Sequence, residues 1–184
     1  TRVSSKPIRA DRRIIKASFQ GALSHPCRKN LMQINNGKDI IIKTNIRSNY
    51  FGKIDALAGI QDNSYSDLLD NSSFGIVARG DALFSYRLLE TLSRGAIPII
   101  ISDGWILPFD RTIDWSSCSL RFHQEAINEI PFVVDKIEKR HLINLQSKCI
   151  ENYNKIFTSI ESIMGTMLNE AIELYKNNMN SLNN

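Results

Sequence analysis

The chain is poor in the residues that staple, coordinate or span. Of 184 residues, three are cysteine and three are histidine. Cys27, Cys118 and Cys149 are far apart and form neither a CxxC nor a Cys/His metal spacing, so they read as buried free thiols. His25, His123 and His141 are equally scattered and predict no metal site. Long apolar runs are also absent. The longest, Ala96 to Ile101, carries Pro98 and fits a buried strand; nothing approaches the ~18 residues of a membrane span. No signal-peptide pattern opens the chain. It starts on Thr1 rather than Met, and we read it as a portion of something longer. One-sided charge is lacking too. With 23 Lys+Arg against 19 Asp+Glu, the net charge of +4 falls short of a nucleic-acid-binding stripe, and no nucleic-acid partner is expected. GxxxxGK[ST], GxGxxG and GxSxG are all missing, which removes the P-loop, the dinucleotide fingerprint and the hydrolase elbow. The single sequon, Asn71-Ser72-Ser73, directly precedes an apolar strand and reads as a loop accident.

What is present is ordinary globular material, 42% hydrophobic and 23% charged, sufficient for one domain with its own core. Residues 1–13 are basic and polar and are expected to form a linker or fragment edge; 14–176 form the domain; 177–184 form an Asn-rich frayed tail. Strands are expected from Ile14, over Asp39–Lys43, Phe74–Ala78 and Ile97–Ile101, and near Cys118–Phe122. Between them lie a helix capped by Ser24 with Pro26 in its first turn, a short helix at Ser66–Leu69, and a helix from Leu83 to Ser93 closed by Gly95. From Glu125 the pattern is helical, with a stripe of Leu142, Leu145, Cys149, Tyr153, Ile156 and Ile160. Strands alternate with helices across connections too long for hairpins. The fold class is therefore α/β: a Rossmann-like, doubly wound parallel sheet with helices on both faces.

In such sheets ligands bind beyond the carboxyl ends of the strands. The segment Arg79-Gly80-Asp81 leads toward Ser85, Arg87 and Glu90. A glycine turn running into a helix N-terminus attracts anions, two arginines can grip a diphosphate, and Glu90 can accept from adjacent ribose hydroxyls. The same residues also fit a plain surface ladder, with Arg87–Glu90 at i,i+3 and Glu90–Arg94 at i,i+4. Asp103 and Asp110 flank Trp105 and suit either acid/base work or Asx-turns. Trp105, Pro108, Phe109 and Trp115 suit either a pocket or a packed loop.

Three runs in order carry a resemblance: Ser73-Phe74-Gly75-Ile76-Val77-Ala78-Arg79-Gly80; Ser85-Tyr86-Arg87-Leu88-Leu89-Glu90; and Gly95 through Phe109 with its Gly104-Trp105-Ile106-Leu107-Pro108-Phe109, followed by Asp114-Trp115. Together they resemble the exostosin family of glycosyltransferases, with a weaker upstream match at Phe19, Gly21 and Arg28. Ala78 stands where many members have proline, and Asp81 where they often have a basic residue. The resemblance implies the C-terminal, donor-binding half of a two-domain GT-B enzyme. It implies inverting, metal-independent sugar transfer from a nucleotide-diphosphate sugar, usually UDP-linked, to a glycan hydroxyl. The residues implied for the nucleotide sugar are Arg28, Arg79, Gly80, Ser85, Arg87 and Glu90. Asp103 is an outside candidate for the general base. No cofactor and no metal are expected. The partners implied are the donor, a glycan or polysaccharide acceptor and an N-terminal domain missing from this chain. The compartment implied is the Golgi lumen for a eukaryotic source and the cytoplasm for a bacterial or viral one. The alternative is a non-catalytic Rossmann-like module that supports a partner subunit or domain.

Overall fold

The computed structural model describes residues 7–44 and 64–182. The expected polar connection to about Gln61 lies outside the described residues, as do 1–6 of the expected linker and 183–184 of the expected tail.

Among the described residues five segments form the strands β1 (Ile15–Gly21), β2 (Ile40–Thr44), β3 (Ser72–Ala78), β4 (Ile97–Ile101) and β5 (Leu120–Arg121), with β-branched residues densest in β2 and β4. They make one sheet of order β2-β1-β3-β4-β5, and every pairing is parallel. All seven residues of β3 and all five of β4 are buried, as expected of strands covered on both faces. The β2 edge instead alternates. Phe19, Phe74, Ile76, Ile97, Ile99 and Ile101 form the centre of the core.

Among the described residues there are six helices: α1 (Pro26–Asn30), α2 (Ser64–Asp70), α3 (Arg87–Ser93), α4 (Ile130–Lys136), α5 (Lys139–Asn152) and α6 (Ile160–Leu182). A π-helical turn, Tyr153–Phe157, joins α5 to α6. The stripe expected along the C-terminal helices buries Leu145, Cys149, Tyr153 and Ile156, whereas Ile160 is exposed. Beyond it α6 leaves Met164, Met167, Leu168, Ile172, Tyr175 and Met179 exposed and continues as helix through the described part of the expected tail. No described helix is long and apolar enough to cross a membrane.

Close approach of α3 to β3 depends on Gly75. A Cβ there would lie 2.6 Å from Thr91 Cγ2 and 2.6 Å from Thr91 Oγ1. Gly95 ends α3 at φ +61°, donating to Leu92 O, as the sequence predicts for a residue just past a helix end. The described part of the expected linker lies on the body of the domain. Ala10 is buried, and Arg13 donates to the carbonyls of Ile8, Leu69, Ser72 and Arg94. Burial pushes the Arg13 guanidinium down to about 10, so it stays charged near neutrality. Gln146 on α5 ties this segment down. Its Oε1 accepts from Ala10 N at 2.7 Å, and its Nε2 donates to Ile8 O and Gly95 O.

Two expected elements differ in their starts. The helix after β1 is capped by His25, not Ser24. The His25 Nδ1 accepts from Cys27 N at 3.2 Å, and Leu31–Ile34 tightens into a 3-10 turn. The helix after β3 begins at Arg87, not Leu83. Residues 79–86 form an open loop, fastened where the Ser102 hydroxyl donates to Leu83 O. Chain direction across the sheet reverses between β1 and β3, which makes their carboxyl ends the topological switch point.

Candidate functional site

Each switch-point strand has a glycine at or just past its end, Gly21 for β1 and Gly80 for β3, and an arginine lies against each. A Cβ at Gly21 would sit 3.0 Å from Arg87 Nη2; one at Gly80 would sit 3.1 Å from Arg28 Nη2 and 3.2 Å from Ser24 Oγ. Absence of those Cβ atoms brings two guanidinium groups to one rim. The Phe19 ring lies beneath both, with Arg28 Cζ 5.6 Å and Arg87 Cζ 5.5 Å from its centroid.

The two arginines differ in what they hold. Arg28 is half-buried and donates to Arg79 O at 2.8 Å, Ala78 O at 3.0 Å and Ala22 O at 3.1 Å. It frames the turn after β3. Burial, and next the Arg87 charge, hold its guanidinium below the ordinary arginine value. Arg87 has a side chain 21% exposed and donates to Glu90 Oε2 at 3.4 Å. Its Cζ lies 4.4 Å from the centroid of Tyr65. Burial raises the Tyr65 phenol; the charge of Arg87 and its hydrogen bond act in the opposite sense, and Glu90 adds to the rise. Like charges on one partly shielded rim repel, so the arrangement favours an anion.

The remaining expected residues sit around this pair. The Arg79 backbone N–H donates to Ile101 O, and its Nε reaches Gly80 O at 3.4 Å. The Ser85 hydroxyl accepts from Arg87 N at 3.4 Å. Asp81 is exposed on the loop. Because α3 starts at Arg87, the helix N-terminus expected beside Gly80 lies further along the chain, and cationic side chains replace it there. The alternative ladder is present only in part. Arg87 meets Glu90, but Arg94 turns to Asp70 at 3.2 Å and Ser66 Oγ at 2.7 Å.

His25 stands at the same rim. Burial first, then the charges of Arg79 and Arg28, lower its pKa. Asp103 does not pair with Asp110. Its carboxylate meets His123 Nδ1 at 3.2 Å and accepts from Gln124 N and Nε2, which ties the β4 turn to the residues after β5. The Trp105–Phe109 loop is mostly packed. Leu107 and Trp115 are buried, Trp115 Nε1 donates to Pro108 O at 3.0 Å, and Phe109 adopts φ +56° with its ring 5.6 Å from that of Phe157. Among the described residues no cluster of three or more His, Cys, Asp or Glu could hold a metal ion. Cys27, Cys118 and Cys149 are free and buried.

Sequence reasoning missed Tyr65 and the shared role of Phe19. Neither carries a local signal, because both meet Arg87 only once α2, β1 and α3 are assembled.

Residues 2–137 match the Exostosin GT47 domain. The chain belongs to the exostosin GT47 family. Among similar exostosin proteins, exostosin-1 of Drosophila melanogaster is 32% identical over 151 residues, covering 76% of this chain and 19% of that protein. The exostosin-1 homolog of Caenorhabditis elegans is 34% identical over 142 residues, covering 73% of this chain and 37% of that protein. Exostosin-1a of Danio rerio is 30% identical over 149 residues, covering 77% and 20%. This exostosin chain thus spans about a fifth to just over a third of the length of these relatives. The parallel sheet and the switch-point rim both fall within the matched region.

Proposed function

We propose that this exostosin domain binds the nucleotide-sugar donor of a glycosyltransferase, which moves a sugar from a diphosphate, UDP-linked in our reading, to a glycan hydroxyl. The observation that carries this reading is the meeting of Arg28 and Arg87 over Phe19 at the β1/β3 switch point, with Arg79 on the adjoining turn. Arg87 and Arg79 receive the diphosphate. Arg28 holds the Arg79-Gly80 turn in shape through three carbonyls. Gly80 leaves room for close approach, Ser85 steadies the start of α3, and Glu90 accepts from the ribose hydroxyls.

In the reaction we propose, an acceptor oxygen attacks the anomeric carbon from the face opposite the diphosphate. The new C–O bond forms as the bond to the diphosphate oxygen breaks, with inversion. The acceptor proton passes to a general base. Charge develops on the departing diphosphate, and fixed cations in a partly shielded site stabilise it there; this supports a mechanism without metal. Asp103, engaged by His123 and Gln124, remains an outside candidate for the base. We assign the acceptor-binding half to a further domain, and the compartment to the Golgi lumen for a eukaryotic source.

The test is thermal melting of the chain with UDP and no added metal. UDP raises the melting temperature, and Arg87→Ala removes the rise. A parent chain indifferent to UDP overturns the reading. A second reading, a non-catalytic module supporting a partner, is favoured by the exposed apolar stripe of α6. Stable self- or hetero-association in light scattering, together with indifference to UDP, would support it.

A further inference from the structure

The reading of Arg87 as a diphosphate ligand leaves open how a long, flexible side chain is held without occupying the N–H groups that meet the ligand. Arginine carries ~2 kcal/mol of rotamer entropy, and an unheld one would lose much of it on binding. Arg28 shows one solution, hydrogen bonds to three backbone carbonyls, but those engage its N–H groups. Arg87 shows another. Its Cζ lies over two aromatic rings, Tyr65 at 4.4 Å and Phe19 at 5.5 Å. An aromatic face attracts a cation through its quadrupole, whereas the five N–H donors of a guanidinium lie in its own plane. Rings can therefore hold the group and leave donors at its edge.

Resting on the donor-site reading above, we infer that Tyr65 is a positioning residue, which with Phe19 clamps the Arg87 guanidinium and presents its N–H edge to the diphosphate. The absence of a Cβ at Gly21, 3.0 Å from Arg87 Nη2, makes room for the clamped group. Glu90, on the next turn of α3, contacts Arg87 at one nitrogen, Nη1. The Tyr65 hydroxyl also hydrogen-bonds Arg87 and Glu90, but the ring face, 4.4 Å from Cζ, supplies the clamp, so Phe at position 65 retains the function and a ring stripped of face electron density does not.

The experiment measures UDP affinity by calorimetry on the 184-residue chain carrying Tyr, Phe or pentafluorophenylalanine at position 65. Phe and pentafluorophenylalanine have nearly the same shape but opposite quadrupoles. The clamp predicts that Tyr65→Phe stays within about threefold of the parent, and that the fluorinated ring weakens UDP binding about tenfold relative to Phe. The ligand-free melting temperatures of the two should agree. Equal affinities for Phe and the fluorinated ring overturn the inference, as does a Tyr65→Phe loss as large as that of Arg87→Ala. If the parent itself does not bind UDP, the donor reading fails separately. The Arg87 Hε proton resonance then decides the clamp: a ring-current shift that Tyr65→Phe retains and Tyr65→Leu loses supports it, and an unchanged shift in Tyr65→Leu overturns it.

Discussion

A single side chain, Thr91, shows how tightly α3 is drawn onto the sheet. It is buried, its hydroxyl has no hydrogen-bond partner among the described residues, and it fills the space over Gly75. Gly75→Ala places a methyl 2.6 Å from two Thr91 atoms and is expected to destabilise the domain by about 1–3 kcal/mol through overpacking. Thr91→Ala removes both of those atoms. The double variant should therefore recover part of the loss, read as a non-additive cycle in denaturant melts. Strictly additive values would show that the contact is relieved some other way. Thr91→Val exchanges the unpartnered hydroxyl for a methyl and should leave stability unchanged or raised. The glycine was visible in the sequence as part of the family-like run. The reason for it was not, because Thr91 meets Gly75 only across two elements.

Among the elements, α1 gives the clearest pH dependence. Its N-cap acceptor is a neutral His25 ring nitrogen, and the group is held below its ordinary value of 6.5 by burial and by the charges of Arg79 and Arg28. The unfolded chain therefore takes up the proton before the folded one does. Stability falls as pH drops below about 6.5 and is recovered as pH rises through that window. Melting temperatures from pH 5 to 7.5 should rise in the parent, and His25→Asn, which keeps a capping oxygen but does not titrate, should flatten that rise. Parallel curves for the two proteins would remove His25 as the cause. The sequence made Ser24 the cap because its hydroxyl is the commoner choice. The turn before Pro26 instead brings His25 to the Cys27 N–H, and a histidine cap has no strong sequence signature. The late start of α3 has a similar origin: nothing local marks residues 83–86 as non-helical, and Leu83 is instead fixed by Ser102 from the end of β4.

At the scale of the whole molecule, Gln146 joins three remote parts of the chain: the segment around Ile8–Ala10, the end of α3 at Gly95, and α5. Gln146→Met keeps the length but leaves the Ala10 N–H and the Gly95 carbonyl without partners, at about 1–3 kcal/mol each. Hydrogen exchange should accelerate over residues 7–13 well before the central strands respond; uniform acceleration would show that the segment and the sheet open together. The sheet was legible from its apolar runs, β4 to the residue, because strands buried on both faces are written as unbroken hydrophobic stretches. The cationic half of the candidate site was legible from the arginines. Its aromatic half, Phe19 and Tyr65, was not, since neither residue's role is expressed in local spacing. The strand order has one further consequence, which concerns time. β1 pairs with β2 nearby in sequence, but its partnership with β3, Ile15 beside Ser72, closes a much longer loop. Long-range parallel pairing of this kind forms slowly. The rim where Arg28 and Arg87 meet over Phe19 does not exist until that junction closes, so the return of the Arg87–Phe19 contact during refolding would serve as a clock for that join.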